Sequence, residues 1–175
     1  MSCMKKFALL PLFVLSLVLS SPVIAAQQAD PAKGLFLPGD VTADLAKIAL
    51  EAAVKKAREQ GTLMNVAIVD AGGNLKAFCR MDGAFLASID ISIKKAQTAR
   101  SLNMPTTQLH DAAVPGAELY GIEVTNGGMV IFGGGELLKD QHGTIIGAIG
   151  ASGGTVANDV EVAKADAAAV LASFK

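Results

Sequence analysis

The sequence lacks a strong charge of either sign. Its 175 residues carry 15 basic and 16 acidic side chains, a formal net charge of −1 at pH 7. Proteins that bind nucleic acid or an anionic membrane surface rely on dense positive charge. The near balance therefore makes both kinds of partner poor candidates.

Cysteine is also scarce, and the first of the two cysteines lies in a segment that we expect to be removed. Lys5 and Lys6 precede the apolar run "FALLPLFVLSLVLS", and "SPVIAA" follows with small residues. This pattern is typical of a secretory signal peptide cleaved after Ala25 or Ala26. A retained membrane anchor is the alternative, which the shortness of the apolar run disfavours. We predict a signal peptide over 1–26, an N-terminal arm over 27–40, a single domain over 41–175, and export to the periplasm or the cell exterior.

Cys79 is then alone in the mature chain, so no intramolecular disulfide can form. Ala77, Phe78 and Met81 around it predict a strand. Free cysteine often packs as a small apolar residue. We therefore predict that Cys79 is buried and inert.

The pattern along the chain predicts the order α-β-β-α-β-β-α, with a short helical turn at "TTQLHDAAV". The strands are "LMNVAIVD", "NLKAFCRM", "GGMVIFGGGELL" and "GTIIGAIGASGG", paired as two hairpins. In the helix after the first hairpin, Leu86, Ile89, Ile93 and Ala96 recur at helical spacing and predict its core-facing stripe. Hairpins imply an antiparallel sheet covered by helices, which is an α+β fold.

Three glycine-rich motifs have alternative interpretations. Gly133 to Gly135 lack the Lys-Ser/Thr of a phosphate loop and instead predict a bulge or a close backbone approach. "SGGT" before the last helix is either an anion site or a helix cap, and we favour the cap. Ser152 sits in the letters of a nucleophile elbow, but no histidine follows it, which disfavours a hydrolase.

The chain shows no metal-ligand spacing. Its two histidines, His110 and His142, are far apart and lack a histidine or cysteine partner. One protein ligand suffices for haem iron, so either histidine alone could serve. We predict that His142 is solvated in a hairpin turn and that His110 lies near a pocket-forming loop. The acidic residues of the last helix, Asp159, Glu161 and Asp166, are predicted to face solvent.

A basic group surrounds the second helix and comprises Arg80, Lys94, Lys95 and Arg100. Cations beside an apolar wall suit a flat ligand that carries carboxylates, such as a porphyrin. Salt bridges within the fold or across a subunit interface are the alternative, and spacing alone favours them.

Three segments together resemble the GlcG/HbpS family of haem-binding and haem-degrading proteins. They are "NVAIVDAGGNLKAFCRMDGAFLASIDISIKKAQTA", "YGIEVTNGGMVIFGGGELL" and "GTIIGAIGASGGTVANDVEVAKA". The resemblance runs from about Val41 to the C-terminus. Each motif alone is weak, but the combination is specific.

The resemblance implies a profilin- or PAS-like α+β fold, with a five-stranded antiparallel sheet flanked by helices. It also implies a homo-oligomer, for which octamers are known in the family, and haem as the cofactor. Related domains lie at the C-terminus of PduO-type corrinoid enzymes.

The resemblance also implies candidate site residues. Thr98 matches the threonine to which part of the family's haem-iron ligation is attributed. Four further residues of the cofactor site match signature motifs: Arg80, Lys95, Asp70 and Ser152. Lys94, the cation next to Lys95, completes the set. Glu136 stands where the family often has proline, and neither histidine falls in a signature, so a histidine-ligated mechanism does not transfer.

The favoured interpretation is an exported haem-binding homo-oligomer that serves sequestration, sensing or degradation of haem. Binding is preferred over catalysis because the sequence shows no general acid, base or metal constellation. One alternative is a small-molecule enzyme or enzyme accessory with a pocket lined by Asp70, Arg80 and Ser152. The other is an oligomeric scaffold that docks to a membrane sensor.

Overall fold

The computed structural model describes residues 39–174, so the predicted signal peptide and most of the predicted arm lie outside the described residues. The elements are α1 (Ala43–Glu59), β1 (Asn65–Asp70), β2 (Leu75–Arg80), α2 (Ala87–Leu102), α3 (Thr106–Ala113), β3 (Gly135–Lys139), β4 (Ile145–Ser152) and α4 (Val156–Ala172), with a 3-10 turn at Ile122–Val124. Within this part of the chain, no helix is long and apolar enough to cross a membrane. The predicted order of helices and strands is confirmed.

The sheet is antiparallel, with strand order β2-β1-β4-β3. Asn65 of β1 pairs with Arg80 on one side and Ser152 on the other, so these residues share one end of the sheet. Asp70 lies at the opposite end, paired with Gly147.

The described residues form four strands, where the resemblance implied five. Two hairpins account for all four, as the residue pattern indicated. The segment 129–134, predicted as part of the third strand, has no strand pairing before Gly135. The α+β class is confirmed, and the profilin- or PAS-like assignment stays a prediction.

Helix α1 begins at a threonine cap and packs through small side chains. The hydroxyl of Thr42 accepts a hydrogen bond from the Leu45 N–H at 3.2 Å, which satisfies an amide that the helix leaves without a partner. Its buried side chains are all alanine: Ala46, Ala49, Ala53 and Ala57. They join the larger core cluster together with Val162 and Val170 of α4. Helices α1 and α4 thus cover one face of the sheet.

Helix α2 covers the other face, but not with the predicted stripe. Its buried residues are Ser88, Ser92, Lys95, Ala96, Thr98 and Ala99. Leu86 is 71% exposed, and Ile89 and Ile93 are only half-buried. The reason is a close approach to β4: a Cβ on Gly150 would overlap the carbonyl oxygen of Ser92 and lie 2.7 Å from the Ala96 nitrogen. Large side chains cannot fit there, so the prediction was wrong except at Ala96.

Helix α4 buries part of the face that its acidic residues were predicted to turn to solvent. Val156 and Leu171 are 47% and 44% exposed, whereas Asp159 and Asp166 are buried. The solvent-facing prediction is wrong for these two aspartates and right for Glu161, which is exposed. For Asp159 the cause is a buried cationic partner, described below.

Cys79 is a free thiol and is half-buried rather than buried. It lies on β2, which is an edge strand of the sheet. An edge strand has a neighbour on one side only, so its side chains are less completely covered. The predicted burial of Cys79 is therefore wrong.

Candidate functional site

A buried ion pair joins α2 to α4 at the end of the sheet that holds Arg80 and Ser152. Lys95 Nζ donates to Asp159 Oδ2 at 2.6 Å and to the carbonyl oxygen of Ala151 at 2.9 Å. The side chains of Lys95 and Asp159 are 0% and 4% exposed. Burial lowers the pKa of Lys95, and the hydrogen bond and charge of Asp159 partly offset this. The ammonium is therefore held inside the fold.

The second carboxylate oxygen of Asp159 occupies the position in which an anionic ligand would bind. Asp159 Oδ1 accepts from the Gly153 N–H at 3.2 Å and the Gly154 N–H at 3.0 Å. Thr155 caps α4 by accepting from the Asn158 N–H at 3.2 Å. These are the amides that a bound phosphate would contact. The "SGGT" motif is a helix cap, as favoured, and the chain's own carboxylate satisfies its amides.

Lys95 also braces an aromatic ring and a glycine turn. Its Nζ lies 4.8 Å from the centroid of Phe132, a cation–π distance. A Cβ on Gly134 would lie 2.6 Å from the same Nζ, and Gly134 has a φ of +113°. A Cβ on Gly134 would also lie 2.7 Å from the carbonyl oxygen of Ala151, and a Cβ on Gly135 would lie 2.5 Å from that of Lys95, so the predicted close backbone approach at the triple glycine is confirmed.

Thr98 lies one turn further along α2 and is 3% exposed. Its hydroxyl accepts a hydrogen bond from the Val130 N–H at 3.1 Å. Iron ligation by this oxygen would require direct access that the buried position does not give. Ligation by Thr98 stays a prediction, and it would require the hydrogen bond between Thr98 and Val130 to break.

The remaining predicted site residues have separate surroundings. Lys94 pairs with Asp90 at 3.0 Å on the surface of α2. Ser152 is 4% exposed at the end of β4. Arg80 is exposed and makes no ion pair within residues 39–174.

Asp70 closes the first hairpin. Its Oδ1 accepts from the Gly72 and Asn74 N–H groups, both at 2.8 Å. Burial raises the pKa of Asp70, but the hydrogen bonds from Asn74 and Gly72 outweigh it and hold the pKa below its usual value. The structure thus brings Lys95, Ser152 and Arg80 to one end of the sheet and places Asp70 at the other.

One open surface is a groove between α1 and β2, here called the helix–strand groove. It measures about 580 Å³ and is lined by Lys47, Leu50, Glu51, Val54, Lys55, Arg58, Glu59 and Cys79. A neighbouring depression shares Val54, Arg58 and Cys79 and continues to Arg80. Leu50 and Val54 supply apolar wall, and Lys55, Arg58 and Arg80 make no ion pair among the described residues. Small-molecule sites typically occupy about 300–1,000 Å³.

A second, smaller surface is here called the His110 pocket. It measures about 290 Å³ and is lined by Thr107, His110, Phe132, Gly133 and Val156. His110 Nδ1 lies 3.2 Å from the carbonyl oxygen of Ile131. His142, in contrast, is exposed in the β3–β4 turn, as predicted.

The two surfaces offer different groups. The helix–strand groove offers apolar wall and cations that suit carboxylates, and the His110 pocket offers an aromatic wall beside an imidazole. No group of three histidine, cysteine or acidic side chains in residues 39–174 is placed to hold a metal ion. A haem iron needs only one protein ligand.

Neither Asp159 nor Phe132 was predicted from the sequence as a residue of the site. Asp159 stands in the first turn of α4, directly after a loop rich in free amides, and a carboxylate there is stabilised by those amides. The position of Asp159 in the sequence could therefore have indicated that its carboxylate binds these amides. Phe132 carried no signal, because its role depends on a lysine far away in the chain.

A family model and several known proteins match this chain. The family described as "Haem degrading protein HbpS-like" matches residues 41–168. An uncharacterized 15.0 kDa protein of Citrobacter freundii is 43% identical over 119 residues, which are 68% of this chain and 84% of that protein. The corrinoid adenosyltransferase PduO of Salmonella typhimurium is 41% identical over 120 residues, 68% of this chain. The chain covers only 35% of PduO.

A solved structure described as the PduOC:heme complex superposes with a TM-score of 0.71 and 37% identity. The match covers 74% of this chain and 94% of that one.

Proposed function

The chain belongs to the HbpS-like family, and from that premise we propose that it binds haem. The observation that carries the proposal is the haem complex of a relative that is 37% identical and superposes over 74% of this chain. The two surfaces described above supply apolar wall, unpaired cations and an imidazole, which are the groups that hold a porphyrin and its iron.

The physiological role that we propose is sequestration or sensing of haem by an exported homo-oligomer. Export rests on the signal-peptide pattern, and assembly rests on the family resemblance and on large apolar side chains left exposed on the described chain. Phe85, Leu86 and Tyr120 are 68%, 71% and 62% exposed. Degradation is the alternative outcome, since the family description names it.

The test is a titration of the purified protein with hemin. We expect a shifted Soret band that saturates near one haem per subunit. A control protein of similar size and charge measures non-specific hemin uptake. A spectrum no different from this control would refute haem binding.

The same loaded sample separates binding from degradation. The Soret band is followed over time after addition of a reductant in air. A stable band agrees with sequestration or sensing. Steady loss of the band, faster than for hemin on the control protein, would assign degradation instead.

A further inference from the structure

The imidazole of His110 is oriented by the backbone. Its Nδ1 lies 3.2 Å from the carbonyl oxygen of Ile131. A carbonyl oxygen only accepts, so this contact requires the proton on Nδ1, and the lone pair of the neutral ring is then on Nε2. Histidines that ligate metals are commonly held this way, with one ring nitrogen donating to a carbonyl and the other free for the metal.

The walls around this imidazole are apolar and close-fitting. Phe132, Val156 and Gly133 line the pocket. A Cβ on Gly133 would lie 2.6 Å from Val160 Cγ2 and 2.8 Å from Thr107 Cγ2. The ring of Phe132 is braced from inside by Lys95 Nζ at 4.8 Å. The wall next to His110 is therefore fixed by buried contacts.

The dimensions of the pocket define how a porphyrin would lie. At about 290 Å³ it is at the small end of ligand sites and cannot enclose a haem. Its mouth is open, because His110, Thr107 and Val156 are exposed. A flat macrocycle would rest across this mouth, with one face on Val156 and Phe132 and the other toward solvent.

The other candidate ligands are less well placed. The Thr98 hydroxyl is buried and already accepts from the Val130 N–H. His142 Nε2 lies 3.2 Å from the side-chain amide nitrogen of Gln141, in the exposed turn between β3 and β4. His110 alone of these three joins a free ring nitrogen to an apolar surface.

We propose that Nε2 of His110 is the axial ligand of the haem iron, with the porphyrin lying across the mouth of the His110 pocket. This assignment rests on the proposed haem binding. It replaces the oxygen ligand expected from the resemblance with a neutral imidazole. Ferric haem accepts the lone pair of Nε2, and no bond breaks within the protein.

The experiment compares hemin with iron-free protoporphyrin IX on three proteins: wild type, His110→Ala and His142→Ala. For His110→Ala we expect hemin affinity to fall by about tenfold or more, because even the loss of a group that only orients a metal ligand costs about 10–100-fold. The Soret position should change as well. Protoporphyrin IX affinity should stay within about twofold of wild type, because porphyrin packing is retained. His142→Ala should match wild type with both ligands.

Two further measurements guard against a folding artefact. His110→Gln retains a donor for the Ile131 carbonyl but lacks the imidazole, so it should lose hemin affinity while its urea midpoint stays at the wild-type value. Added imidazole should restore the wild-type spectrum of His110→Ala.

The outcomes separate the two proposals. If wild type takes up hemin and His110→Ala keeps both its spectrum and its affinity, the axial-ligand assignment is wrong and haem binding stands. If the affinities of His110→Ala for hemin and for protoporphyrin IX fall by the same factor, the side chain contributes packing and not ligation. If wild type takes up no hemin beyond the control protein, haem binding fails and the assignment fails with it.

Discussion

Lys95 is the largest fully buried side chain of the described chain, and it carries a charge. A buried ammonium is tolerated only when its partner and hydrogen bonds are in place. Asp159, the Ala151 carbonyl and the Phe132 ring together meet that requirement. The signature lysine thus holds α2, α4 and the glycine turn in one arrangement.

Removal of one partner of this pair is expected to destabilise the protein strongly. Asp159→Asn leaves the Lys95 charge buried without its counter-ion and should lower the free energy of unfolding by about 3–5 kcal/mol. Urea denaturation measures the change. The exposed pair Lys47–Glu51 is the matched control, and Glu51→Gln should cost no more than about 1 kcal/mol. Equal costs at both positions would contradict the importance assigned to burial.

Asp166 presents the opposite case, a buried carboxyl without a partner. Both of its oxygens lack a hydrogen-bond partner, and the residue is 0% exposed. Burial raises the pKa of Asp166 well above its usual value. Because the folded pKa lies above the unfolded one, the unfolded chain releases this proton first as the pH rises.

The stability of the wild type should therefore fall as the pH rises from the unfolded pKa of Asp166, near 3.8, through its raised folded pKa. Asp166→Leu removes the unpaired polar group and should raise the free energy of unfolding at pH 7 by about 1–3 kcal/mol. Thermal melts across this pH range measure both effects. Asp111→Asn, at an exposed carboxyl, is the control. A wild-type profile identical to that of Asp166→Leu would contradict the buried-acid interpretation.

Arg80 is the predicted site residue that remains exposed and without an ion pair in residues 39–174. It lies at the same end of the sheet as Ser152 and the glycine turn. If its guanidinium pairs with a haem propionate, Arg80→Ala should weaken hemin binding by up to about fivefold, the scale of an exposed ion pair. Lys139→Ala is the control, since Lys139 pairs with Ile145 toward the other end of the sheet. Hemin titrations that give equal losses for both variants would point to general electrostatics.

At the scale of the element, the contact between α2 and β4 explains why the second helix faces the core with small residues. Gly150 lies beneath the backbone of Ser92 and Ala96. Because the two backbones nearly touch, the bulky Ile89 and Ile93 turn away from the core. They remain as a half-buried apolar surface on the outside of α2.

Gly150→Ala should therefore be among the most damaging single substitutions. Its methyl group has no room, and overpacking of a rigid backbone contact costs about 1–3 kcal/mol or more. Urea denaturation and circular dichroism measure the loss. Gly72→Ala is the matched control, since its added Cβ would meet chiefly the flexible side chain of Asn74 at 2.9 Å. A Gly150→Ala protein as stable as wild type would show that α2 can shift away from β4.

At the scale of the whole molecule, several large apolar side chains of the described chain stay exposed. Phe85 and Leu86 adjoin each other at the start of α2, at 68% and 71% exposure. Exposed apolar patches of this kind often mark contact surfaces between proteins. The predicted homo-oligomer would bury such a patch.

We expect light scattering after size-exclusion chromatography to give a mass several times that of one subunit. The double variant Phe85→Asp with Leu86→Asp should shift it toward the monomer, because charges would be placed in an apolar contact. Leu171→Asp, at a residue 44% exposed on α4, is the control. A monomeric wild type would refute assembly.

N-terminal sequencing of the exported protein should begin at Ala26 or Gln27 if the signal peptide is cleaved as predicted.

Several features followed from the sequence because their causes are local. Hydrophobic alternation and glycine turns predicted the two hairpins. The threonine before α4 predicted its cap, and the motif combination predicted the family. The faces of α2 and α4 were mispredicted because periodicity shows that a helix has a core-facing side but not how near the facing strand lies.

The candidate site depended on contacts between distant parts of the chain. Lys95 and Asp159 are 64 positions apart, so spacing could favour a salt bridge without identifying its partner. The orientation of His110 comes from a carbonyl 21 positions away, and the wall beside it from Phe132. The sequence by itself determined the order of elements, the hairpins and the family, because short-range patterns encode them. Only the tertiary structure decided which charges are buried and which ring nitrogen is free, because those depend on backbones brought together by folding.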